Sequence, residues 1–295
     1  MSDSFAASPI RNLHEDVLST LEAFDAFAAP IAGAVLYSSR WRATSLPRNL
    51  RAASAASALG LTSLDDARRR YTHNDEEDEP TATDRYLQAY FAARRHMKET
   101  LSDLGNFEEG DNYGAFAAAV ALQRLDSGFR AAHILYRLGL NIEGDTISRQ
   151  ILEQIAWALE ASRLGTSEEM EKVSASYSIS ALKKLIPGIG PLYGALSEIA
   201  HAGLEQHGQH VELDPDDRGR IVVARSRLAT SALILLRLAD AWVAVCEYTQ
   251  RDIVGTFRAL ASRDDLRLLQ ARPFLAESQR FVQQIAKLET EARAS

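Results

Sequence analysis

Five residues on two segments have the types and spacing to do chemistry. In "DTISRQILEQIAWALE", Arg149 and Glu153 stand four apart; in "LYGALSEIAHAG", Tyr193, Ser197 and His201 follow one another at intervals of four. On an α-helix each set forms a row along one flank. An imidazole at His201 is a candidate general base, a guanidinium at Arg149 can stabilise negative charge developing on phosphorus, and Tyr193 can position a substrate, beside Ser197 and Glu153. The same residues also have a plainer reading. Arg149 and Glu153 make an ordinary helix pair worth a few tenths of a kcal/mol, and the Tyr193, Ser197 and His201 row ties helices together.

Either reading needs two helices that present their polar rows to each other. Ile147, Ile151, Leu152, Ile155 and Leu159 give the first helix a broad apolar face, and Leu192, Leu196 and Ile199 give the second a core stripe. A helix that ends in "IPGIGP" lies between them and reverses the chain, so an antiparallel pair is expected to bring the rows together. Glu153 should then bond Arg149 or His201, because a buried charge without a partner is costly. His133 shares a face with Leu122, Leu125, Phe129 and Tyr136. It reads as a core histidine that must find a partner or stay neutral.

The rest of the chain has helical periodicity almost throughout, so the fold class is all-α, a bundle with short connections. The expected helices run from about Pro9 to Ala29, from Pro47 to Gly60, from Ser63 through "LDDARRRYTH", from Asp84 to Leu104, from Tyr113 to Leu140 and from Asp145 to Leu164. Further helices start at Ser167 and near Leu192, and the last two span about Ala224–Tyr248 and Phe274–Ala292. "HVEL" and "RIVVA" flank the turn-rich "DPDDRG", which allows one small hairpin near residues 211–224. The acidic stretch "NDEEDEPTATD", with a proline and no large apolar residue, separates an N-terminal helical region (1–73) from a main bundle (85–295) as a linker or loop at residues 74–84.

Composition narrows the function classes. The 295 residues carry a net charge of −7, so nucleic acid is expected only at a local basic patch. The single cysteine, Cys246, rules out an internal disulfide and a cysteine-built zinc site, and its apolar surroundings suit a buried hydrophobe. The N-terminus lacks the pattern of a secretory signal. The apolar stretch "LATSALILLRLADAWVAV" is interrupted by Arg237 and Asp240, which favours a core helix over a membrane span. A cytoplasmic protein without membrane contact is expected. "HAGLEQHGQH" gathers His201, Glu205, His207 and His210 without the H-E-x-x-H spacing of a zinc helix, so a polar helix end is expected rather than a metal site. There is no G-x-S-x-G elbow, no P-loop and no dinucleotide fingerprint, and no cofactor is expected. The helix near 224–248 is apolar around much of its circumference, which suits a bundle centre or a homodimer interface.

"SRQILEQIAWAL" followed by "LYGALSEIAHAG" resembles a family of bacterial helical proteins, domain of unknown function 5677. That family pairs an R-x-x-x-E helix with a later Y-x-x-L-S-x-x-x-H helix. The matching positions here are Arg149, Glu153, Tyr193, Leu196, Ser197 and His201, and the resemblance covers roughly residues 113–250. It implies a bacterial source and a helical fold but brings no activity. A weaker resemblance is to the helical nucleotide-binding and ribonuclease superfamily of prokaryotic toxins and defence proteins. Its R-x4–6-H motif has one counterpart, Arg68 to His73, with Arg69 where the family has a small polar residue. Two functions follow as expectations. One is a binding or regulatory protein, in stress or phage defence, with a protein or small-molecule partner. The other is a metal-independent ribonuclease-like effector using His201 and Arg149.

Overall fold

The structure is a computed structural model that describes residues 24–29, 33–38, 63, 80–105, 112–200, 211–213, 219–221 and 227–294. The chain divides into two compact units, Met1–Pro80 and Thr81–Ser295.

In the first unit, the described elements are strands β1 (Phe24–Ala29) and β2 (Gly33–Ser38), paired antiparallel. This corrects the expected helix from Pro9 to Ala29 over its last six residues. The reason lies in residue type and register: Phe24, Phe27, Val35 and Tyr37 are the aromatic and β-branched types that strands favour, and the register sets position 27 opposite position 35. A helical stripe that reaches Phe24 loses to that pairing. The helices expected at 47–60 and from Ser63 onward, and the pair Arg68 and His73, lie outside the described residues.

The second unit is an all-α bundle. Its described helices are α1 (Ala82–Ser102), α2 (Tyr113–Arg137), α3 (Asn141–Ala161), α4 (Ser167–Glu171), α5 (Ala175–Leu185), α6 (Ile189–Ala200), α7 (Leu228–Thr249) and α8 (Pro273–Ala294). Strands β3 (Val211–Leu213) and β4 (Gly219–Ile221) pair antiparallel between α6 and α7, within the region where a hairpin is expected. α1 begins inside the acidic segment, because Thr81 and Asp84 form a capping box there. The helix expected to start at Ser167 is two helices. Ser174 accepts from the Tyr177 N–H and starts α5 afresh, as a serine N-cap does.

α7 is the axis of the bundle and packs against α1, α2, α3 and α8. It is long and apolar enough to cross a membrane, but most of its apolar window is buried against those neighbours. Trp242 is fully buried and donates from Nε1 to the Leu122 carbonyl on α2 at 2.9 Å. Glu289 of α8 caps the other end, accepting from the Leu228 and Ala229 N–H groups where the helix dipole favours an anion. Cys246 is buried and its thiol pKa is pushed up to about 12, by burial and then by the Glu247 charge.

α2 and α3 form a tight helical hairpin. Gly139 takes φ 75° after the end of α2, and the N–H groups of Gly139 and Leu140 close back onto the carbonyls of Tyr136 and Leu135, the hydrogen-bond pair of a Schellman cap. Close approach then demands a second small residue. A Cβ added at Gly144 would lie 2.6 Å from the Tyr136 ring. The hairpin thereby fixes α3, the helix that carries the first polar row.

Candidate functional site

α3 presents two polar groups of different depth. On its exposed flank Arg149 donates from Nε to Glu153 Oε1 at 2.9 Å, and each side chain is 25% exposed. α6 packs on α3 and brings Tyr193 to the same carboxylate, its hydroxyl donating to Glu153 Oε1 at 3.3 Å. The Arg149 guanidinium carbon sits 5.8 Å from the centre of the Tyr193 ring, within cation–π range. The Glu153 hydrogen bond raises the Arg149 pKa, holding an already permanent cation more firmly.

Three of the five candidate residues are thus brought together. Leu196 carries the core stripe of α6, 1% exposed, as its position predicts. Ser197 does not join the cluster: its Oγ is buried and makes no hydrogen bond among the described residues. His201 lies outside the described residues, as do Glu205, His207 and His210. Among the described residues no cluster of three or more His, Cys, Asp or Glu side chains is placed to hold a metal ion.

Nearer the start of α3 lies a deeper group. Asp145 is completely buried and accepts from the Tyr136 hydroxyl at 2.7 Å. Ser148 lies 2.9 Å from the same hydroxyl, and since Tyr136 gives its proton to Asp145, Ser148 donates here. Arg227, just before α7, pairs with the second carboxylate oxygen. Burial pushes the Asp145 pKa up, and Arg227 and Tyr136 pull it back. Burial and then the Asp145 charge push the Tyr136 phenol far above its ordinary range.

His133 is the core histidine its position predicts. It is fully buried and stacked with Tyr86 and Tyr90, ring centres 5.4 and 3.7 Å apart. Its Nδ1 lies 3.3 Å from the Tyr86 hydroxyl, which in turn donates to the His133 carbonyl.

Two buried carboxylates on α7 escape a motif search because each partner is distant in sequence. Asp240 takes a two-point contact from Arg272, at 3.0 and 2.8 Å, both side chains almost fully buried. Glu247 accepts from the backbone N–H groups of Arg258, Ala259 and Leu260. Burial raises both pKa values, against the pull of those donors. These contacts pin the segment between α7 and α8 to the bundle.

His96 is the residue that reading the sequence for chemistry passed over. It lies on the buried face of α1 with Tyr86, Tyr90, Ala93, Met97 and Thr100. The visible signal was the same as for His133, an imidazole on an apolar helical stripe. Burial, followed by the charges of Arg258, Arg272 and Arg95, lowers its pKa to about 4.

Comparisons with family models, with curated proteins and with solved structures found no match to this chain.

Proposed function

We propose that this chain is a helical binding or regulatory protein rather than an enzyme, and that the Arg149–Glu153–Tyr193 strip is the latch between α3 and α6. One observation carries the reading: Glu153 accepts from both Arg149 and Tyr193, so the three side chains serve one another. A general base or an oxyanion donor needs a free lone pair or proton aimed at substrate. The deeper groups support the same conclusion, since Asp145, Asp240 and Glu247 are each engaged by internal donors. The resemblance to domain of unknown function 5677 belongs to this proposal, and so does a cytoplasmic role in bacterial stress or phage defence. So does a homodimer, supported by Tyr113, Phe116 and Val120, which are exposed at helical spacing along α2.

The alternative, a ribonuclease-like effector, requires His201 and Arg149 to act together. Expression of the wild type, His201→Ala and Arg149→Ala in cells separates the two, with growth and RNA integrity as readouts. The binding reading expects intact RNA and equal growth in all three. RNA decay in the wild type that disappears in His201→Ala would replace it with the ribonuclease.

A further inference from the structure

α1, α8 and the segment joining α7 to α8 line a cavity of about 520 Å³. That is within the usual range for small-molecule sites, about 300–1,000 Å³. Its apolar wall includes Phe257, Leu269 and Phe274. His96 stacks on Phe274 with ring centres 3.9 Å apart and is 8% exposed. Its Nε2 is buried and has no hydrogen-bond partner among the described residues. Native interiors leave few buried side-chain polar atoms in that condition, and each asks for an explanation. A neutral imidazole offers one donor or one acceptor at that atom.

The charged lining is unequal. Arg95, Arg258 and Arg280 face two carboxylates, Glu99 and Glu277. Arg95 holds Glu277 at 3.1 Å and lies 3.9 Å from Glu99, so one arginine serves both acids. Arg258 is taken by Asp103. Arg280 is left with no ion pair or hydrogen bond among the described residues. Arg258, Arg272 and Arg95 all act on the His96 titration in one direction, against the imidazolium.

We propose that this cavity binds a small organic monoanion with a flat apolar body, its carboxylate on Arg280, its body against Phe257 and Phe274, and a polar contact at His96 Nε2. The proposal rests on the binding reading above and gives it a ligand class and a place. One unpaired guanidinium matches one negative charge, whereas an inorganic phosphate would bring more charge and no surface for the two rings. The chemistry of the wall, two phenylalanines and a leucine beside a stacked imidazole, favours an aromatic body over a sugar.

The test is calorimetric titration of the full chain with naphthoate, its neutral counterpart naphthamide, and inorganic phosphate. NMR titration of the His96 imidazole accompanies it. Naphthoate should bind at least about tenfold more tightly than naphthamide, a difference of about 1.4 kcal/mol. Arg280→Gln should lose about the same factor, and Lys287→Gln, an equal charge change elsewhere on α8, should lose none. The His96 pKa should rise when naphthoate binds, because a carboxylate offsets the arginines. Equal binding of naphthoate and naphthamide, tighter binding of phosphate, unchanged affinity in Arg280→Gln, or no naphthoate binding at millimolar concentration would each overturn the site and leave the binding reading to be placed elsewhere. Chemical conversion of the bound probe would support the site while removing the non-enzymatic reading.

Discussion

α3 carries two carboxylate–arginine–tyrosine clusters two turns apart, and they differ in depth rather than in composition. Asp145, Tyr136 and Arg227 meet in the core, with Asp145 completely buried. Glu153, Tyr193 and Arg149 meet at the surface, where both members of the ion pair are a quarter exposed. Water can replace what a partner gives in the second cluster but not in the first. The deep cluster therefore governs whether the hairpin of α2 and α3 holds together, and the shallow one governs how α6 lies on it. Chemically similar groups thus carry a large structural consequence in one place and a small one in the other.

The largest effect should come from breaking the deep cluster. Asp145→Ala removes the acceptor of Tyr136 and the anion facing Arg227, and loss of one member of a buried pair costs about 3–5 kcal/mol. The midpoint of urea unfolding should fall with the slope unchanged, which marks a stability loss without a change in compactness. Asp145→Asn keeps an acceptor for Tyr136 and should fall between Ala and wild type. If Asp145→Ala cost no more than the surface variants below, depth would not be the variable that separates the clusters.

How much of this was legible in the sequence follows the same division. The shallow cluster was readable in part, because Arg149 and Glu153 stand at i,i+4 on one helix and Tyr193 opens a polar row on another, a spacing that local sequence displays. The central place of α7 was readable from its apolar circumference, and the core role of His133 from its stripe. The deep contacts were not. Arg227 is 82 residues from Asp145, Arg272 is 32 from Asp240, and Glu247 is held by backbone N–H groups that have no residue-type signature at all. The strands near Phe24 were missed for a related reason. A helical stripe is a local property, whereas a strand's partner lies on the other side of a turn. His96 was visible as an imidazole on an apolar face, but its lack of a partner is a fact of packing that spacing does not contain.

An intermediate effect should come from His96, which sharpens the comparison because its pH dependence runs opposite to that of Asp145. The folded protein lowers the imidazole pKa from 6.5 to about 4, so the unfolded chain binds the proton more readily. Stability from this group is fully present above pH about 6.5 and is lost as the pH falls through about 4, for a total on the order of 3 kcal/mol. Asp145 works in the opposite sense. Its pKa is raised on folding, so its contribution is present below the unfolded carboxyl value and is lost as the pH rises through the folded one. Arg258, Arg272 and Arg95 act on the imidazole as cations, and Glu99 and Glu277 line the same cavity. The difference between wild type and His96→Gln, measured by unfolding at each pH, isolates the imidazole. That difference should shrink on acidification, and a difference that stays flat would mean that His96 titrates normally.

The smallest effect should come from the surface latch, and its smallness is the point. Tyr193→Phe removes one hydrogen bond to a quarter-exposed carboxylate, and Glu153→Gln removes the charge that Arg149 faces. Exposed pairs of this kind measure about 0–1 kcal/mol, so each variant should unfold close to wild type. Their coupling is more informative than either alone. If Glu153 is the shared acceptor, the double variant should lose less than the sum of the singles, because the second change removes an interaction the first has already weakened. A strictly additive pair would mean that Tyr193 and Glu153 do not interact in solution, and the latch between α3 and α6 would then rest on Leu196 and its apolar neighbours. Leu196→Ala supplies the contrast on the same helix. Its side chain is 1% exposed, and its truncation should cost about 2–5 kcal/mol. α6 would then be held by its buried stripe, with the polar row setting only its rotation against α3.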